Sequence, residues 1–148
     1  MIRPATIADI PWLIEAGAHA QQEAPHYADL PTSSADQYKR LVGVLQFPDA
    51  VCIRVVEDHT GFICGALEPA VWFQTMYAVQ NLLWVHPDHR GTRRAWRLVG
   101  AFEEWAREHG ATRIINGVSS GVAEERTGRF YHKMGYLPMG PSFYKELT

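Results

Sequence analysis

Residues 81–110, NLLWVHPDHRGTRRAWRLVGAFEEWAREHG, constrain this chain more than any other stretch. An apolar run suited to a strand passes through a polar turn into a helix. Ala95, Leu98, Val99, Phe102 and Ala106 recur at helical spacing, and Gly110 stands where a terminating glycine belongs. The β-rich segment TRIINGV (112–118) follows at once. A strand, a helix and a second strand in that order bring the two strands together in parallel, with the helix on one face of a sheet.

The rest of the chain extends this unit. MIRPAT (1–6) reads as a short strand and DIPWLIEAGAHAQQEA (9–24) as a helix capped by Thr6 or Asp9. PHYADLPT (25–32) is a loop. SSADQYKRLVGVLQ (33–46) is a second helix, with Ser33 and Asp36 in a capping-box arrangement and Tyr38, Leu41, Val42 and Leu45 on one face. AVCIRVVED (50–58) and FICGALEPAVWF (62–73) form a hairpin about DHTG, the second strand interrupted near Pro69. YAVQNLLWV (77–85) is the next strand. EERTGRFYHKMG (124–135) is a short helix, and YLPMGPSFYKEL (136–147) ends as a strand. The expected architecture is a single α/β domain over residues 1–148: a mixed central β-sheet flanked by helices, in the order β-α-α-β-β-β-α-β-α-β.

With 47% hydrophobic and 20% charged residues the chain can bury a core. A net charge of −2 argues against nucleic acid as a partner. No segment approaches the roughly 18 apolar residues of a membrane span, and no secretion signal is visible. Cys52 and Cys64 suit a reduced compartment, so a cytoplasmic location is expected.

Against this background the turn at 86–99 is unusual. Four of the fourteen Lys and Arg fall between Arg90 and Arg97, where a helix begins. Cations are unfavourable at that end of a helix, so they need an anionic partner. The unpaired N–H groups of a helix N-terminus form an anion site, above all for phosphate, and Gly91 lets the backbone approach a ligand.

VHPDHRGTRRAWRLV resembles the acetyl-CoA-binding motif of the GNAT family of N-acetyltransferases, Gln/Arg-x-x-Gly-x-Gly/Ala, which falls on Arg90-Gly91-Thr92-Arg93-Arg94-Ala95. RFYHKMGY (129–136) is similar to the family's xFYxKxGF segment, and the element order also matches. The resemblance implies a GNAT fold and transfer of an acetyl group from acetyl-CoA to a primary amine of a small molecule or protein. It implies that the backbone of Leu83, Trp84 and Val85 pairs with the pantetheine arm. Backbone N–H groups from Gly91 to Trp96, through Thr92, Arg93, Arg94 and Ala95, would hold the pyrophosphate, with Arg90 adding charge. Tyr131 would protonate the departing thiolate. Two positions depart from the pattern: Arg93 replaces a usual glycine, and Glu124 stands where an Asn is common.

The amine must lose a proton, and relatives often carry a carboxylate on the strand before the phosphate loop. Here that strand has Gln80 and Asn81, so Glu68 is the candidate base, with His86 and Asp88 as alternatives or water alone. In this architecture the first two helices flank the acceptor, and Glu23, His26 and Tyr27 supply carboxylate and aromatic groups for a cationic amine. A homodimer is left open.

Three other readings compete. A non-catalytic module of the same fold, binding coenzyme A or a protein, fits Arg93 and the missing strand carboxylate. GVSSG (117–121) matches the serine-hydrolase elbow, but 148 residues with Ser119 at that position leave too few strands and partners. His86 and His89 lack further ligands at metal spacing, so no metal is expected.

Overall fold

The computed structural model describes residues 1–116 and 124–147. Five strands form one sheet in sequence order: β1 (Ile2–Pro4), β2 (Val51–Val56), β3 (Gly61–Ala70), β4 (Thr75–Val85) and β5 (Arg113–Ile115). Every pairing is antiparallel except β4 with β5, which the crossover helix α3 (Arg94–Glu108) makes parallel. Helices α1 (Ile10–Glu23) and α2 (Ser34–Val44) precede β2, and α4 (Glu124–Lys133) follows β5.

Side-chain alternation sorts the sheet into two faces. Cys52, Val56, Ile63 and Ala78 meet Leu98, Val99, Phe102 and Trp105 of α3 and Tyr131 of α4. Ile53, Val55, Phe62 and Trp84 meet Leu13, Ala16 and Ala20 of α1, with Leu41 of α2 beside them. Burying these large side chains at about 25 cal/mol per Å² of apolar surface is the main stabilising term.

A β-bulge crosses this pattern at the point that matters most. Cys64 pairs with Leu82 and Gly65 with Gln80, so Asn81 is an extra residue on β4. The insertion inverts the alternation. Ala78 faces α3, and beyond the bulge so do Leu83 and Val85, while Trp84 turns to α1. Gly65 is required opposite the bulge: a Cβ there would lie 2.4 Å from the Val79 carbonyl and 2.5 Å from the Phe102 ring.

The expected elements form, with two corrections. β3 runs through Pro69, which pairs with Met76. Leu67 N–H still bonds the Ala50 carbonyl toward β2, but β2 begins at Val51, opposite Ala66. The N–H that Pro69 lacks would have pointed to the same, now vacant, side. The second correction is that residues 137–147 form no strand, so the order among the described residues ends β-α. Pro138 and Pro141 donate no backbone hydrogen bond, Gly140 sits at φ +109°, and Leu137, Phe143 and Leu147 are exposed.

The helix ends follow the expected chemistry. The Ser33 hydroxyl accepts from Asp36 N–H at the start of α2, and Gly110 takes φ +81° just past α3. Thr6 begins a 3-10 turn (Ile7–Asp9) ahead of α1, and its N–H donates to the Asp9 carboxylate.

Candidate active site

β4 and β5 pair only from Tyr77 to Val79. Past the bulge β4 keeps β3 on one edge, but no described strand lies along its other edge, and a cleft of about 770 Å³ opens there. Its walls are α1 (Gly17, Ala20, Glu23), the edge of β4, the loop from His89 to Thr92 and one face of α4.

The ladder fixes which backbone groups face this opening. His86 N–H donates to the Thr60 carbonyl, so alternate residues of β4, including Trp84, spend their backbone groups on β3. Leu83 and Val85 therefore turn theirs toward the unpaired edge, where the Val85 carbonyl accepts from Arg90 Nε at 2.8 Å. Of the three residues expected to pair with a pantetheine arm, Leu83 and Val85 offer backbone at the edge and Trp84 offers its ring wall.

The phosphate-type loop is built from local turns. The Thr92 hydroxyl donates to the His89 carbonyl at 2.6 Å and accepts from Arg94 N–H at 3.4 Å, and Gly91 adopts φ +79°. Among the described residues the N–H groups of Gly91, Thr92 and Arg93 have no partner. Ala95 and Trp96 lie in the first turn of α3, where N–H groups have no intrahelical acceptor.

The arginines do not act together as expected. Arg90 donates to Glu23 at 2.6 Å across the cleft mouth. Arg94 turns away to the β2–β3 hairpin, donating to Thr60 Oγ1 at 2.8 Å and pairing with Asp58 at 3.3 Å. Arg93 and Arg97 border a separate cavity of about 160 Å³ with Ile2, Val56, Asp58 and Arg94. The anionic partners that this cluster requires are thus partly internal: Glu23 and Asp58.

At the fork between β4 and β5 the Tyr131 hydroxyl lies 2.8 Å from Gln80 Nε2 and 3.0 Å from its Oε1, and Asn116 Nδ2 donates to the same Oε1 at 3.4 Å. Tyr131 is 7% exposed, and burial pushes its phenol above the usual value against a smaller opposing effect of the Gln80 hydrogen bond. It is neutral, and so able to donate a proton, throughout the physiological range.

On the α1 side Glu23 and Tyr27 border the cleft, and Gln21 secures the following loop by donating to the Tyr27 and Leu30 carbonyls, both at 2.8 Å. His26 is not on the cleft lining; its ring packs 5.3 Å from that of Tyr144. Glu68 is exposed, opposite Tyr77, and lines no part of the cleft. His86 is half-exposed, its Nδ1 accepting from Asp88 N–H. Glu23 is therefore the one carboxylate on the cleft among the described residues. Ser119 and the Glu124 side chain lie outside the described residues.

Sequence reasoning missed the basic face of α4. Arg126, Arg129 and Lys133 line the cleft, and no ion-pair partner holds them among the described residues. Their i, i+3, i+7 spacing in RTGRFYHK was the available signal.

Comparison with known proteins agrees with this architecture. No curated protein matches the sequence significantly. An acetyltransferase from Trypanosoma brucei superposes with a TM-score of 0.75 at 16% identity, covering 99% of each chain. Glucosamine-6-phosphate N-acetyltransferase from Arabidopsis thaliana gives 0.77 at 15%, covering 100% of this chain and 98% of the other. Aminoglycoside 6′-N-acetyltransferase from Acinetobacter haemolyticus gives 0.73 at 16%, covering 100% and 98%. These likenesses establish the fold. The model of the acetyltransferase (GNAT) family matches residues 14–136, and the chain belongs to that family.

Proposed function

We propose that the protein transfers an acetyl group from acetyl-CoA to a primary amine of a small molecule or protein. The observation that carries this reading is the fork of β4 and β5. It joins an unpaired strand edge, unpaired loop N–H groups and a buried neutral phenol in one cleft. A pantetheine arm has amides that suit the edge groups of Leu83 and Val85. The N–H groups from Gly91 to Trp96, with Arg126, Arg129 and Lys133, suit the phosphates of coenzyme A. Arg93 faces the smaller cavity, so its side chain is not assigned to the coenzyme.

The chemistry is direct. The neutral amine nitrogen forms a bond to the thioester carbonyl carbon, with the Val85 N–H placed to stabilise the developing oxyanion. The carbon–sulfur bond breaks, and the thiolate takes the Tyr131 proton. The amine's own proton leaves to water, because Glu68 lies off the cleft and Glu23 stands at the cleft mouth, where Trp84 holds it. Gln80 holds the phenol in place, and Asn116 donates to the Gln80 side-chain carbonyl.

Thiol release from acetyl-CoA across a panel of amines tests the reading. Acceptor-dependent release is expected, and Tyr131→Phe should lower kcat roughly tenfold to a thousandfold with little change in coenzyme affinity, the range for a lost general acid. That Glu23, the one cleft carboxylate among the described residues, is engaged by Arg90 and Trp84 favours one rival, a module that binds coenzyme A without turnover. Coenzyme binding with no acceptor-dependent release by any amine would establish it.

A further inference from the structure

The one carboxylate on the cleft among the described residues is already occupied, and its occupant comes from the opposite wall. Glu23 is the last residue of α1; its Oε1 accepts from Trp84 Nε1 at 3.2 Å and its Oε2 from Arg90 Nη2 at 2.6 Å. Arg90 opens the loop whose N–H groups stand unpaired, and its Nε holds the Val85 carbonyl. The guanidinium thus spans the cleft mouth, tying the acceptor wall to the loop and covering the open end of β4. Both partners are partly exposed, Arg90 by 36% and Glu23 by 30% of their side chains, so water screens the pair and a stronger anion can replace it.

We propose that Glu23 is an acceptor-recognition carboxylate masked by Arg90, and that coenzyme binding unmasks it. The inference rests on the coenzyme-binding reading above. A phosphate seated on the loop draws Nη2 away from Glu23, because the arginine fork pairs with phosphate at least as well as with carboxylate. Glu23 then keeps only the Trp84 hydrogen bond, and its freed oxygen serves the cleft that Tyr27 also lines. A carboxylate and an aromatic ring in one cleft suit an ammonium group. The attacking nitrogen must be neutral, so the group bound there is a second cationic centre of the acceptor. Coenzyme and a cationic acceptor consequently bind with positive cooperativity, each relieving the cost of parting Arg90 from Glu23.

The sign of one measurement distinguishes this from a structural ion pair. Calorimetric titration with coenzyme A should give about two- to fivefold tighter binding by Glu23→Gln than by the natural chain, the equivalent of a partly exposed ion pair no longer competing. Glu23→Asp, whose shorter side chain falls short of Arg90, should show part of the gain. In an Arg90→Gln background Glu23→Gln should change nothing, which removes a general field effect from the account. Spermidine serves as the cationic probe: saturating coenzyme A should tighten its binding to the natural chain and not to Glu23→Gln. Circular dichroism of each variant establishes that it is folded. Unchanged or weaker coenzyme binding by folded Glu23→Gln, an equal gain in the Arg90→Gln background, or spermidine binding indifferent to Glu23 overturns the proposal and leaves the coenzyme reading standing. No binding of coenzyme A by the natural chain overturns both.

Discussion

Two carboxylates of this molecule make the same contact to opposite ends. Asp9 and Glu23 bracket α1, each touching an arginine and one further ring N–H. Asp9 is 2% exposed and saturated: Arg3 reaches it with both terminal nitrogens at 2.7 and 2.8 Å, His59 Nε2 at 2.8 Å and Thr6 N–H at 2.8 Å. His59 sits in the β2–β3 turn at φ +58°, stacked 4.6 Å from Trp12, so Asp9 ties β1, α1 and that turn together. Glu23 is open to solvent on a concave surface and has one partner for each oxygen. Burial and saturation make the first a structural lock. Exposure and a shared arginine make the second exchangeable.

The comparison breaks most visibly at Asp9. Asp9→Asn keeps the shape but removes the charge that Arg3 and His59 face, and the amide brings its own donors toward theirs. The expected loss is about 3 kcal/mol, the lower end for a broken buried ion pair, because Arg3 is one-third exposed and can turn to water. Urea unfolding followed by tryptophan fluorescence measures it. A loss below about 1 kcal/mol would place Asp9 in the same class as Glu23.

Acid sharpens the same point. The Arg3 hydrogen bonds, then His59 and Thr6, hold the Asp9 carboxyl far below the usual carboxylate range, against the opposing effect of burial. A depressed folded-state pKa contributes stability that is complete above the unfolded value, about 3.9, and is lost as pH falls toward the folded one. The stability gap between the natural chain and Asp9→Asn should therefore be constant above about pH 5 and narrow below pH 4. A gap independent of pH from 6 to 2 would show that the Asp9 charge contributes nothing and that the donors of the asparagine amide cause the loss.

The legibility of these features followed sequence distance. The α3 stripe, Ser33, Gly110 and the strand-to-helix passage are local patterns, and they are where the sequence placed them. The fork was readable only through its motif, since nothing local in YAVQNLLWV marks Asn81 as the inserted residue; Gly65 and Phe102, which accommodate it, are distant in the chain. Pro69 was misread because the end of β2, on which its tolerance depends, is a tertiary fact. The basic turn reads as the site of an anionic ligand, whereas its internal partners Asp58 and Glu23 stand 36 and 67 residues away, beyond the reach of a local pattern. The resemblance offered Glu68 as a replacement for the missing strand carboxylate, yet its strand carries it clear of the cleft.

Glu23→Gln should cost less than about 1 kcal/mol of stability, since its pair with Arg90 is partly exposed. Thermal unfolding alongside Asp9→Asn sets the two carboxylates on one scale. A cost near 3 kcal/mol would make Glu23 a second lock rather than an exchangeable group.

The smallest effect separates Arg94 from its neighbour Arg90. Both belong to the motif, but Arg94 leans to Asp58, whose carboxyl is held below its usual range by the Thr60 hydroxyl first and by Arg94 only second. Asp58 is half-exposed and keeps its Thr60 hydrogen bond without the arginine. Arg94→Gln should thus lower stability by about 0.5 kcal/mol, within the range of a surface pair. Because its side chain is off the cleft lining, coenzyme A affinity should fall by less than about twofold, the remainder of a field screened within roughly 10 Å. Arg126→Gln with Arg129→Gln, which removes two cleft-lining charges, should weaken binding by more than tenfold in the same calorimetric series, at about 1 kcal/mol or more per charge-assisted hydrogen bond. Equal losses from Arg94→Gln and the α4 pair would mean that the loop arginine swings from Asp58 to the coenzyme, and that it, like Arg90, is held in reserve by an internal carboxylate.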